Sequence, residues 1–145
     1  MKDIENFSKR AETYFKNGFN CAESVLMTMQ KAWNLGDITP KPATGFGAGV
    51  GGLGSLCGAL TGGIIALNLK FGRMKSTDDK DKPYSMAHQY FKRFEHENGS
   101  VMCKEITECD FLNPKDKIRY REDNIFEKKC VKLVKNSIKI LLELG

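Results

Sequence analysis

Five cysteines carry most of the chemistry that this chain of 145 residues could perform. Cys21, Cys57, Cys103, Cys109 and Cys130 follow one another at spacings of 36, 46, 6 and 21 residues. No Cys-x-x-Cys pair occurs, so neither a zinc finger nor a thioredoxin motif is present. The absence of Cys-x-x-Cys-His excludes a c-type haem. Three of the five share a setting. Cys21, Cys57 and Cys103 each follow a candidate capping residue (Asn20, Ser55 and Ser100) and are predicted in the first turn of a helix. Unpaired N–H groups and the positive end of the helix dipole favour a thiolate there. Such cysteines commonly have lowered pKa values and are the reactive ones. Cys130 lies instead on the apolar face of the last predicted helix, and Cys109 stands in the polar run Thr107-Glu108-Cys109-Asp110. A single cysteine is ordinarily a small buried hydrophobe. Three at helix starts point to redox thiols or metal ligands.

The remaining chemistry is sparse. His88 and His96 sit eight residues apart on one predicted helix, outside any H-E-x-x-H, and read as surface residues. Gly47-Ala48-Gly49-Val50-Gly51-Gly52 fits G-x-G-x-x-G, but that fingerprint has meaning only after a strand and within a βαβ unit. Prolines precede it here, no strand pattern is near and no Walker A sequence exists, so no NAD is expected. Net charge is +5. The excess lies between Lys115 and Lys139, with nine basic and four acidic residues. That is too little to indicate nucleic acid.

The elements that must position the cysteines are organised around Gly45 to Gly63, which holds nine of the fourteen glycines. Glycine in a helix interior costs roughly 1 kcal/mol relative to alanine, so this density serves unusual dihedrals or close approach of another group. Before it, apolar spacing predicts a helix over Ile4 to Asn17 and a second from Asn20, with Glu23 completing a capping box. Gly36 is expected to end that second helix. A connector with Pro40 and Pro42 leads into the glycine loop. The third helix is predicted from Ser55 or Leu56 to Gly72, apolar on most faces and therefore central. Its Gly58-x-x-x-Gly62 suits contact within one chain or between two. A fourth helix, capped by Ser76 or Thr77, runs to Glu97. A short turn covers Val101 to Thr107, Asp110 to Asp123 is irregular, and a last helix spans Asn124 to Glu143. The fold class is therefore all-α, a compact single domain (1–145) of about five helices with a glycine-rich loop before a buried central helix. No apolar run reaches the roughly 20 residues of a membrane span, and no signal peptide is evident, so a cytoplasmic protein without structural disulfides is expected.

Several blocks are similar, in order and spacing, to a known family. They are Phe19-Asn20-Cys21-Ala22-Glu23-Ser24-Val25-Leu26, then the glycine loop with Leu56-Cys57-Gly58-Ala59-Leu60-Thr61-Gly62, then Met102-Cys103-Lys104-Glu105-Ile106, then Cys130-x-x-Leu133-Val134. The chain resembles the redox-active family named after its C…GCAxxG…C…C cysteine pattern, which is related to a region of split-Soret cytochromes. Leu56 replaces the first glycine of the family's block. The resemblance implies an iron–sulfur or electron-transfer role and carries over Cys21, Cys57, Cys103 and Cys130, with Cys109 extra.

Two versions of a redox site follow. In one, Cys21, Cys57, Cys103 and Cys130 hold an iron–sulfur cluster or other metal, with Gly52, Gly54 and Gly58 letting backbone N–H groups approach it. In the other, Cys57 and a partner among Cys21 and Cys103 cycle catalytically between dithiol and disulfide. A helical binding or assembly domain with inert cysteines is the alternative of another class. An unknown redox partner is implied by either redox version, and a homodimer through the glycine-x-x-x-glycine face stays open.

Overall fold

The computed structural model describes residues 2–145. Among them seven α-helices form: α1 (Lys2–Lys16), α2 (Cys21–Ala32), α3 (Gly58–Phe71), α4 (Asp81–Asn98), α5 (Cys103–Thr107), α6 (Pro114–Glu122) and α7 (Val131–Leu144). A 3-10 segment (Lys41–Phe46) precedes the glycine loop, and a π turn (Phe126–Cys130) leads directly into α7. The only strand-like pairing among the described residues is an isolated antiparallel bridge between Leu56 and Met102. The chain is all-α. No helix among these residues is long and apolar enough to cross a membrane.

The closest packing in the molecule is between α2 and α3, and sequence explains it. A Cβ at Gly62 would overlap the backbone carbonyl of Ala22, and one at Gly63 would strike the Tyr90 ring. Glycine at both positions lets α3 lie directly against α2 on one side and α4 on the other. The Gly58-x-x-x-Gly62 face is thus used inside this chain. Tyr90 is fully buried, and its hydroxyl donates to the Ala59 carbonyl at 2.8 Å, so the α4 aromatic is satisfied as well as packed. Leu26, Met29, Leu60, Phe94, Ile138 and Leu141 complete a core that is closed to solvent. The apolar stripe of α7 closes it from below, with α1 lying alongside α7.

Boundaries depart from the sequence expectation where tertiary contacts decide them. α2 ends at Ala32, short of Gly36, because Trp33 caps it and Asn34 turns left-handed (φ 52°). α3 starts at Gly58 rather than near Ser55, because Leu56 is held in the bridge to Met102. α4 starts at Asp81 from Lys80, without the side-chain cap expected of Ser76 or Thr77. The stretch expected to be irregular after Asp110 contains α6, capped by Asn113 with Pro114 in its first turn. With α5 and α6 the count rises from about five helices to seven.

Candidate functional site

Each of four cysteines comes from the end of a different element. Cys21 is the first residue of α2, where the expected capping box is complete: Asn20 accepts from the Glu23 N–H at 2.8 Å, and Glu23 accepts from the Asn20 N–H at 2.9 Å. The Asn20 amide also donates to the Thr44 carbonyl at 3.0 Å, tying the 3-10 segment to this helix start. Cys57 is the N-cap residue of α3, and Cys103 opens α5. Two backbone bonds of 2.7 Å, from Cys57 N–H to Val101 O and from Cys103 N–H to Ser55 O, clamp these two starts together. Held side by side by these bonds, Cys57 and Cys103 line the same cavity. Cys130 ends the π turn, where the Val131 N–H bonds to the Phe126 carbonyl. π turns widen a helix by one residue and recur at functional sites.

The four cysteines line one cavity of about 210 Å³, together with Gly58 and the aromatic rings of Phe15, Phe111, Tyr120 and Phe126. An apolar cavity of about 150 Å³ already admits benzene, so this one has room for a polyatomic group. Gly58 makes the first contact. A Cβ there would overlap the Cys21 sulfur, which therefore lies against the backbone that follows Cys57. The rings of Phe15 and Phe126 stack at 4.4 Å, and Phe111 meets Tyr120 edge-on at 5.1 Å. The Tyr120 hydroxyl donates to the Cys130 sulfur at 3.2 Å.

The wall beside Cys21 is built from strained backbone. Ala48, Gly49, Val50, Gly51 and Gly52 all have positive φ, a left-handed run of five residues. Left-handed helix costs about 1–2 kcal/mol for each residue with a Cβ, and a β-branched valine there is an outlier. Gly49 cannot be replaced cheaply, because a Cβ would run into the backbone of Gly54 and Ser55. Bonds such as Ser55 N–H to Gly49 O at 2.8 Å hold the coil closed. It sets the Ala48 backbone beside Cys21, an influence that favours the thiolate and opposes the upward push of burial. Strain of this kind is found where a site demands a fixed geometry.

Thiol electrostatics correct one expectation. Helix-start cysteines were expected to have lowered pKa values, but burial dominates and pushes all of them up. Cys57, 5% exposed, is raised first by burial and then by the neighbouring Cys21, against the opposing N–H groups of Ala59 and Leu60. Cys103 is pushed up to about 12 by burial and by Cys21 and Cys130. Cys130 reaches about 11 through burial, partly offset by the Tyr120 hydroxyl. Cys21 is raised by burial despite backbone bonds from Ala48, Ala22 and Gly58. The helix-end donors are in place, yet burial outweighs them.

Other expected residues fall elsewhere. Gly52 has open space around it, and Gly54 packs against Lys104; neither lines the cavity. Cys109 is fully buried outside it, with its N–H on the Thr107 hydroxyl at 3.2 Å. His88 and His96 are exposed on α4. Tyr120 is the site residue that sequence reasoning missed; the Asn113-Pro114 cap and first-turn signal could have revealed its helix. Among the described residues, no three Cys, His, Asp or Glu side chains converge tightly enough to hold a single metal ion. The four thiols surround a volume and do not converge on a point.

Comparison with known proteins gives a consistent picture. The model of a family described as "Putative redox-active protein (C_GCAxxG_C_C)" matches residues 19–144. A protein of Archaeoglobus fulgidus, described as "Uncharacterized protein", is 28% identical over 154 residues, covering 98% of this chain and 95% of its own. No solved structure matches the chain.

Proposed function

The chain belongs to the redox-active family with the C…GCAxxG…C…C cysteine pattern, and from that premise we propose an electron-transfer protein whose cavity binds an iron–sulfur cluster through Cys21, Cys57, Cys103 and Cys130. One observation carries this reading: four thiols from four separate elements face a single cavity of about 210 Å³. Four cysteines are the usual ligand set of such clusters. A lone tetrahedral ion would need the sulfurs gathered within bonding distance of one point, which the arrangement does not offer. The donor set fits a larger, sulfur-rich group. Bound there, the cluster would supply one-electron chemistry.

The chain's own residues have distinct tasks in this reading. The thiols give up their protons on ligation, because a bound cation reverses the effect that burial has on the free thiol. Backbone N–H groups at Cys21 and Cys57 then offset sulfur charge, as they already oppose the upward shift of both thiols. Phe15, Phe111 and Phe126 exclude water, which favours the less charged oxidation state and tunes the potential. Protein purified without oxygen and reconstituted with iron and sulfide should hold both, with a charge-transfer absorption band. Cys57→Ser should lose them. Absence of bound iron and sulfide in the wild-type protein would overturn the cluster reading.

One contact favours a second redox reading. The Cys21 sulfur occupies the space that a side chain at residue 58 would take, beside Cys57. A Cys21–Cys57 disulfide would form by loss of two electrons and two protons to an oxidant. The upward-shifted, buried thiols make this the slower chemistry. Thiol counting after exposure to oxidised glutathione separates the two readings.

A further inference from the structure

α6 differs from every other long helix in the molecule. None of its nine residues is buried, and among the described residues no other helix makes more than slight contact with it. Its sequence, Pro-Lys-Asp-Lys-Ile-Arg-Tyr-Arg-Glu, has charge on every face, so no apolar stripe holds it down. Its ties are local. Asn113 caps it, the Asp110 N–H donates to Asp116 at 2.8 Å, and Arg119 donates to the Glu108 carbonyl. All of these lie within the segment that carries the helix. Among the described residues, one hydrogen bond alone leaves that segment from α6: the Tyr120 hydroxyl to the Cys130 sulfur at 3.2 Å. At its far end the chain turns at Asn124 with a left-handed φ of 54° before the π turn begins.

We propose that α6 is a movable cover on the cysteine cavity and that Tyr120 is its latch, a positioning residue that holds the cover and the Cys130 sulfur in register. This rests on reading the four-cysteine cavity as the redox site. The rings that line the cavity, with Cys21 and Cys130, are half-buried, and a wall that swings aside would widen the way in for a polyatomic group. The other walls cannot move cheaply. Phe15 belongs to α1, packed on α7, and Cys57 and Gly58 belong to the tight α2–α3 pair. Tyr120 and Phe111 come from the one wall that buries little, and few buried contacts mean a low free energy of local opening. Cys130 is the ligand the cover touches. When α6 lifts, Cys130 loses its hydroxyl donor while Cys21, Cys57 and Cys103 keep their backbone settings.

Amide hydrogen exchange on the reduced, cluster-free protein tests this without reference to any cofactor. In the wild type, α6 should exchange faster than α2, α3 and α7, and together as one unit. Tyr120→Phe keeps the ring against Phe111 and removes only the hydroxyl. It should speed exchange throughout α6 by about fivefold, the worth of one ordinary hydrogen bond, and leave α2 and α3 unchanged. Cys130→Ala should do the same, and the double variant should go no further than either single one. Cys130→Ser, which keeps an acceptor, should stay near wild type. Unchanged α6 exchange in Tyr120→Phe, or additive effects in the double variant, would overturn the proposal. A protein that never binds a cluster would remove the functional reading and leave this result standing, so the two fail separately.

Discussion

The two ends of the α2–α3 contact use glycine for opposite purposes. At Gly62 and Gly63 the missing Cβ lets backbone and the Tyr90 ring fill all available space. At Gly58, one turn earlier on the same helix, the missing Cβ admits the Cys21 sulfur, and the space beyond is left open as a cavity. One end is filled and the other is not. A packed core loses free energy with every void, so an apolar cavity ringed by four thiols is a cost the fold offsets elsewhere. The closed end of the same helix pair is the natural place for that offset.

Substitutions should separate the two ends cleanly. Gly62→Ala forces a Cβ into the Ala22 backbone, which cannot yield, and should destabilise the protein by roughly 1–3 kcal/mol without changing which cysteines face the cavity. Thermal unfolding checks the first part and thiol accessibility the second. Gly58→Ala meets the Cys21 sulfur, the end of a side chain that can rotate. Its stability cost should be smaller, under about 1.5 kcal/mol, while iron uptake is lost because Cys21 is turned away. Equal destabilisation with iron uptake intact would erase the contrast between the two ends. Cys109→Ser, outside the cavity, should cost about 1–2 kcal/mol for burying a hydroxyl and leave iron content at the wild-type level.

pH dependence offers a separate check, and its sign follows from burial. Free thiols titrate near about 8.5 in unfolded chains, whereas Cys130 is raised to about 11 and Cys103 to about 12 in the fold. The folded state therefore holds its thiol protons more tightly. Their contribution is fully present below about pH 8.5 and is lost as pH rises toward 11 and 12. Denaturant unfolding of the metal-free protein across that window should show falling stability, and Cys130→Ala should flatten the fall. A rise with pH would mean that the helix-end donors outweigh burial.

The same division marks what could be read from sequence. The Asn20–Glu23 box and the Gly72 stop are local, and each was legible. The gathering of Cys21, Cys57, Cys103 and Cys130 was an expectation from the family pattern, and the fold brings all four to one cavity. The rest depended on partners far along the chain. Cys57 caps α3 because Leu56 pairs with Met102, 46 residues away. Val50 adopts a left-handed conformation that its side chain opposes and only the closed loop enforces. α6 has no hydrophobic period to detect, so Tyr120 went unseen. The direction of the thiol shifts was missed because first-turn donors are visible in sequence and burial is not.

The central claim is that four cysteines from distant elements close one occupied site, and Cys130 tests it most directly. Melting should be measured with and without iron and sulfide reconstitution, for wild type and Cys130→Ala. Binding at about 100-fold above the dissociation constant adds about 2.7 kcal/mol, so wild type should gain roughly 5–10 °C on loading. Cys130→Ala should melt close to wild type when metal-free, because alanine fills most of the same small space, and should gain little on loading. A Cys130→Ala protein that gains as much as wild type would contradict the four-cysteine site.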